Sequence, residues 1–250
     1  RLLIESIEEE WAILPEKEVH HFTRVLRKGP GTRFEGITQE GEIFICRLEE
    51  DQGTYRGRII ERLGSRGESP FRILLAPALI KRSRFEWLVQ KATELGVDRI
   101  LPLATHRSEI HLDEKRASRK TDRWRRITEE AVKQCGRSRV PQVEMPVRLS
   151  AALEQVAGMP ILFFDEDAEA GCRGLTEKLQ GLEQAAVFVG PEGGWAEEER
   201  MLFRKAGALR LGLGPRILRA ETAAIVALAL LQHELGDLSG LPFDSPELDV

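Results

Sequence analysis

Leu211-Gly212-Leu213-Gly214-Pro215-Arg216-Ile217-Leu218-Arg219-Ala220-Glu221-Thr222 is a glycine-rich turn that ends a strand-like run and opens a helical one. A second turn of the same kind precedes it, where the apolar run Ala185 to Val189 leads into Gly190-Pro191-Glu192-Gly193-Gly194. Two such strand-to-helix turns place two loops at one edge of a sheet, where open α/β folds bind their ligands.

Working outward, the chain from Pro70 onward alternates strands and helices. The pattern predicts strands at Phe71 to Ala76, Val97 to Leu103, near Val143, Ile161 to Phe164, Ala185 to Val189 and Leu209 to Leu213. Between them it predicts a helix capped by Ser83 with Phe85, Leu88, Val89, Ala92 and Leu95 at helical spacing and Gly96 at its end, a basic helix around Ser118 to Cys135, and a short helix from Ser150. The last helix, about Ile217 to Leu235, has no polar face from Ala223 to Leu231, which makes it either a core helix or one at a dimer interface. Such alternation predicts an α/β fold with a mostly parallel sheet and helices on both faces.

The N-terminal part reads differently. Thr32 to Thr38, Glu42 to Leu48 and Thr54 to Ile60 are short β-like runs separated by turn residues, as in a small antiparallel meander. Arg62 to Pro70 mixes Gly, Ser and charge and is the expected linker, which divides the chain into domains 1–68 and 69–250.

Composition sets few limits. The 250 residues are 42% hydrophobic and 31% charged, an ordinary globular balance. With 37 Lys and Arg against 41 Asp and Glu, a nucleic-acid partner would be held by local basic patches and not by the net field. Cys46, Cys135 and Cys172 are odd in number and far apart, which fits neither a disulfide framework nor a zinc site and suits a reducing cytosol. The apolar run Ala223 to Leu231 is too short to span a bilayer, so no membrane partner is expected. The chain opens on Arg1 and soon reaches Glu8-Glu9-Glu10 in place of a signal-peptide pattern, and the lack of an initiator methionine suggests a trimmed or incomplete start. The adjacent pair His20-His21 lacks further ligands at a useful spacing, and no metal is expected.

The glycine turns narrow the ligand. A phosphate is disfavoured, because Glu197, Glu198 and Glu199 in the first turn after Gly194 already answer the positive end of the helix dipole. No G-x-G-x-x-G occupies the first βα turn, and no Walker lysine stands at the required offset. A ligand without phosphates, with polar edges and an apolar or cationic body, suits the site better, and S-adenosylmethionine meets that description. Leu211, Leu213, Ile217 and Leu218 would enclose its rings. The alternative is that both turns merely close tight βα connections.

Val189-Gly190-Pro191-Glu192-Gly193-Gly194, followed by Leu211 to Ala223, resembles the paired cofactor loops of the ribosomal RNA uridine N3-methyltransferases of the RsmE type, in the SPOUT or α/β-knot superfamily. His20 to Arg27, Lys81-Arg82-Ser83-Arg84, Gln90 to Gly96 and Gln134 to Pro141 match as well, so the likeness runs along nearly the whole chain in order. It implies a trefoil-knotted C-terminal domain, an N-terminal PUA-like β-barrel that helps hold RNA, a homodimer, cytoplasmic localisation, and methylation of N3 of a uridine in 16S ribosomal RNA of the small subunit. His106 departs from the pattern, where the family more often has an acidic residue.

On this likeness the cofactor residues are Val189, Gly190, Pro191, Glu192, Gly193, Gly194, Leu211, Gly212, Leu213, Gly214, Ile217, Leu218 and Thr222. RNA contacts are expected at His21, Arg24, Arg27, Lys81, Arg84, Arg137 and Arg139, within three basic clusters of which the helix around Arg116 to Arg126 has a plainly solvated alternative. N3 methylation requires loss of a ring proton and no covalent adduct, so Cys135 is expected to be a buried thiol and not a nucleophile. The catalytic candidates are Arg219, Glu221, Glu94 and Arg107, with Glu94 and Arg107 alternatively a structural ion pair. Competing readings are ribose 2′-O or guanine N1 methylation on the same fold, and a non-catalytic RNA-binding protein.

Overall fold

The structure is a computed structural model that describes residues 1–51, 53–108, 113–172 and 175–240, with the side chains of 175 and 176 left aside. The chain divides into two compact units: Arg1–Glu68 together with Val132–Val140, and Ser69–Ala131 together with Pro141–Gly240. The last ten residues of the expected second domain lie outside the described residues.

The first unit contains β1 (Leu2–Leu3), β2 (Ser6–Glu8), β3 (Trp11–Ile13), α1 (Glu16–His20) running into a wider π-helical turn at His21–Val25, β4 (Arg33–Ile37), β5 (Ile43–Asp51) and β6 (Thr54–Gly64). β4, β5 and β6 form the expected antiparallel meander, within a described sheet ordered β1-β4-β5-β6-β3-β2. Gly41 and Gly53 supply the positive φ that its two tight turns need. Leu2, Ile4, Ala12, Phe22, Phe34, Phe44, Cys46 and Leu48 close its core, with Phe22 edge-on to Phe34 at 5.5 Å.

Buried charge in this unit is paired. Glu35, 1% exposed, meets Arg1 at 2.5 Å and also Arg66, and Glu18 takes Lys133 at 3.1 Å. The expected linker is therefore structured: β6 runs on to Gly64, and the Glu68 carboxylate accepts from the Arg137 guanidinium at 2.7 Å and from the Ser138 and Arg139 backbone N–H groups at 2.9 and 2.8 Å. Glycine and serine composition read as looseness in the sequence, whereas these charge-assisted bonds tie the segment down.

The second unit holds β7 (Arg72–Pro77), α2 (Arg82–Glu94), β8 (Arg99–Ile100), β9 (Leu103–Ala104), α3 (Glu114–Cys135, entering the first unit at Val132), β10 (Gln142–Val143), β11 (Val147–Arg148), α4 (Leu149–Gln155), β12 (Ile161–Phe164), α5 (Leu175–Lys178), β13 (Gln184–Val189), α6 (Glu197–Lys205), β14 (Leu209–Leu211) and α7 (Ala220–Glu234). Its main sheet is ordered β10-β8-β7-β13-β12-β14, and every described pairing in it is parallel. Alternate residues face opposite layers. Ile73, Leu75, Leu162, Val187 and Val189 pack with α2 and α7, while Leu74, Ala76, Phe163, Ala186 and Phe188 pack with α4 and α6. Strands buried on both faces explain the unbroken apolar runs.

Several local expectations are corrected. Lys81, not Ser83, stands at the N-cap of α2, so Ser83 lies inside the first turn and caps nothing. The strand expected over Val97 to Leu103 is two short strands on either side of Leu101-Pro102, since proline has no N–H for a ladder. The basic helix begins at Glu114, ahead of Ser118, and the last helix begins at Ala220, so Ile217, 85% exposed, belongs to a loop. Cys135 is half-buried; the fully buried thiol is Cys46, whose desolvation pushes its pKa up to about 12.

Candidate functional site

All six strands of the main sheet run the same way, so the loops after β12, β13 and β14 leave from one edge, and these three strands are neighbours. Their loops line a cleft of about 160 Å3 within the second unit. Phe164-Asp165-Glu166 come from β12, Val189-Gly190-Pro191-Glu192 with Gly194-Trp195 from β13, and Leu213 to Leu218 from β14, with Ala220 and Ala223 of α7 closing the wall. The apolar lining, with a few polar groups converging on it, suits a small organic ligand.

Trp195, 1% exposed, organises the middle loop. Its Nε1 donates to the Phe164 carbonyl at 2.8 Å, its ring stands edge-on to Phe203 at 4.9 Å, and Gly190 lies against its face. Gly194 turns the chain at φ +68 and Gly214 turns the third loop at φ +91. Beyond Trp195, Glu199 caps α6. Its Oε2 accepts from the Ala196 N–H at 2.9 Å and its Oε1 from the His106 N–H at 2.9 Å. The Ala196 amide at this helix start is therefore already answered by a carboxylate, which disfavours a phosphate there, as the sequence indicated.

Of the cofactor residues expected from sequence, Val189, Gly190, Pro191, Glu192, Gly194, Leu213, Gly214, Ile217 and Leu218 line the cleft. Gly193 lies just outside it, and its carbonyl accepts from Arg107 Nη1 at 2.8 Å. Leu211 is fully buried in the core and is not among the residues that line the cleft. Gly212 pairs with Gly171 and donates to the Ala170 carbonyl at 2.8 Å, and Thr222 is exposed on the first turn of α7. Sequence reasoning missed Phe164-Asp165-Glu166, Trp195, Pro215, Arg216, Ala220 and Ala223. The signal for the first three was the end of the Ile161 to Phe164 run, but only the strand order places β12 between β13 and β14.

Charge in and beside the cleft is mostly compensated. Burial raises the free energy of the Asp165 carboxylate, yet Arg200 at 2.8 and 3.0 Å, the Asp167 N–H and Arg210 at 3.0 Å outweigh it and hold its pKa below the usual range. Glu192 pairs with Arg84, whose Nε also lies 3.7 Å from Glu221 Oε1. The second oxygen of Glu221 is buried with no hydrogen-bond partner among the described residues.

The four catalytic candidates are not gathered at one point. Arg219 is exposed at the N-cap of α7, with no ion-pair partner among the described residues, and Glu221 follows within the first turn. Arg107 braces the glycine loop through Gly193. Glu94 lies ten residues past Arg84 on α2, about 15 Å along the axis at 1.5 Å per residue, and binds Lys91 at 2.7 and 2.9 Å. It is brought neither to the cleft nor to Arg107, so the alternative ion pair is not formed either.

The RNA candidates also separate. His21, Arg24, Arg27, Lys81 and Arg139 are exposed, and Arg84 is committed to Glu192. Arg137 is only 3% exposed and clamped on Glu68, a structural position that an RNA backbone would not reach. On α3, Arg123 is paired with Glu86 at 2.6 and 2.8 Å, while Arg116 and Arg125 bind neighbouring aspartates.

Residues 67–232 match the RNA methyltransferase domain family. Among curated relatives, the ribosomal RNA small subunit methyltransferase E of Bacillus subtilis is 30% identical over 90% of each chain. That of Synechocystis is 34% identical, covering 90% of this chain and 74% of its own. Among solved structures, the ribosomal RNA small subunit methyltransferase E of Neisseria gonorrhoeae bound to S-adenosyl methionine superimposes with a TM-score of 0.84 at 28% identity, covering 94% of this chain and 98% of its own. A protein of Legionella pneumophila described as a methyltransferase with bound SAM gives 0.81 at 31% identity, covering 95% and 98%.

Proposed function

This chain belongs to the RNA methyltransferase domain family, and from that premise we propose that it methylates N3 of one uridine in the 16S ribosomal RNA of the small subunit, with S-adenosylmethionine as donor. The observation that carries the reading is the cleft between three neighbouring strand ends, apolar in its walls and beside a helix start already capped by Glu199. That combination favours an adenosine without phosphates, and two similar structures contain this cofactor. When bound, S-adenosylmethionine supplies an activated methyl group on a sulfonium centre. Phe164, Val189, Gly190, Leu213, Ile217 and Leu218 would hold its adenosine part.

What remains for the protein is to orient the base and to manage the N3 proton. We assign Arg219, exposed at the start of α7, to stabilise the uridine as it loses that proton. Glu221, with one oxygen buried and unpartnered among the described residues, is the candidate acceptor, and Arg107 holds the glycine loop in place. The RNA is held at His21, Arg24, Arg27, Lys81 and Arg139. A PUA-like barrel over residues 1–68, a SPOUT domain over 69–250 with a trefoil knot, a homodimer and a cytoplasmic location complete the proposal, all on the strength of the family likeness.

The test is to incubate the protein and S-adenosylmethionine with small ribosomal subunits lacking the modification, then map the RNA by reverse transcription. N3 methylation blocks Watson–Crick pairing and should produce one new stop in the 16S RNA. Absence of methyl incorporation would reject the enzyme reading, and incorporation at a ribose would redirect it.

A further inference from the structure

Four charged side chains line the cleft: Asp165, Glu166, Glu192 and Arg216. Two of them are neutralised by the protein itself, Asp165 by Arg200 and Arg210, and Glu192 by Arg84. Glu166 and Arg216 have no hydrogen-bond or ion-pair partner among the described residues. They come from different walls, Glu166 from the loop after β12 and Arg216 from the loop after β14. Glu166 is also placed by local shape, since its Oε1 would lie 3.1 Å from a Cβ on Gly194, and the missing side chain there leaves room for the carboxylate over the glycine loop.

The cleft thus offers one uncommitted negative and one uncommitted positive group beside an apolar wall. A purine and a ribose need neither, and a uridine ring is neutral. An α-amino acid carries an ammonium and a carboxylate on adjacent atoms, which is the complementary pair. Resting on the S-adenosylmethionine reading of this cleft, we propose that Glu166 and Arg216 clamp the amino-acid end of the cofactor, Glu166 taking the ammonium and Arg216 the carboxylate.

Calorimetry tests this with three ligands: S-adenosylmethionine, S-adenosylhomocysteine, and 5′-methylthioadenosine, which keeps the adenosine and the sulfur but lacks the amino-acid end. Glu166→Gln and Arg216→Gln should each weaken the first two about tenfold, the worth of one charge-assisted hydrogen bond, and leave the third within about twofold. Equal weakening of 5′-methylthioadenosine would mean general distortion of the cleft and would overturn the clamp. So would unchanged affinity for all three, or a loss confined to S-adenosylmethionine, which would assign Glu166 to the sulfonium. A wild-type protein that binds none of the three removes the cofactor reading itself, and with it the clamp.

Discussion

Gly190 lies flat against the indole of Trp195, so that a Cβ at position 190 would sit 3.0 to 3.3 Å from three atoms of the ring. The same indole donates to the Phe164 carbonyl at 2.8 Å, so this one contact joins the loop after β13 to the loop after β12. Gly190→Ala must displace the ring or the loop. The expected result is a loss of about 1–3 kcal/mol in stability, as for overpacking, with cofactor affinity falling at least about tenfold. Urea unfolding and calorimetry on the same variant check both parts.

Trp195→Phe keeps most of the ring but leaves the Phe164 carbonyl without its donor. A cost of about 1–3 kcal/mol is expected, as for an orphaned buried acceptor. Thermal unfolding should show it with no cofactor present, because the bond belongs to the fold of the site.

Asp165 predicts a pH dependence. Its folded pKa is depressed, so its contribution to stability is present above the unfolded value near 3.9 and is lost as pH falls through the folded value. Asp165→Asn should therefore be less stable than wild type by about 2–4 kcal/mol at pH 7, because the half-buried Arg200 and Arg210 lose the buried counter-charge they share. The difference should shrink steadily below about pH 4 as the wild-type carboxyl takes up its proton. Urea titrations at a series of pH values measure this, and a constant difference down to pH 2 would contradict it.

Arg137 and Arg139 should behave oppositely although they are two residues apart. Arg137→Ala removes the partner of Glu68 in a buried pair and is expected to destabilise by about 3 kcal/mol, with RNA affinity of the folded protein preserved. Arg139→Ala, at an exposed position, should leave stability within about 0.5 kcal/mol and weaken RNA binding with a reduced salt slope. Unfolding curves and filter binding at two salt concentrations separate the cases.

Arg219→Ala should leave cofactor binding nearly unchanged and slow methyl transfer by about 100-fold or more, the scale for losing one group that stabilises developing charge. Single-turnover assays at saturating cofactor provide the rate. Full activity in this variant would remove Arg219 from the site.

Much of this molecule is legible from local pattern. The alternation from Phe71 to Leu211 predicted the six strands of the main sheet, though not β11, α5 or the break at Leu101-Pro102, because the strands are buried on both faces and read as continuous apolar runs. The paired glycine turns located the cleft, since positive φ at Gly194 and Gly214 is a property that the residue type itself announces. The glutamates after Gly194 disfavoured phosphate, and Glu199 caps its helix by a purely local rule.

What the sequence by itself determined, then, is the set of elements, the two loops with their glycines, and the chemical class of ligand those loops admit; helix and strand periodicity, glycine stereochemistry and helix dipoles all act within a few residues. Only the tertiary structure decided which strands are neighbours, and this brought Phe164-Asp165-Glu166 between the two glycine loops and left Leu211 in the core. It also decided that Arg84 meets Glu192 and Glu221 while Glu94, on the same helix, does not, and that Arg137 is buried while Arg139 is exposed. The physical reason is that strand order and charge pairing join residues more than a hundred positions apart, and neither leaves a periodic trace in the chain.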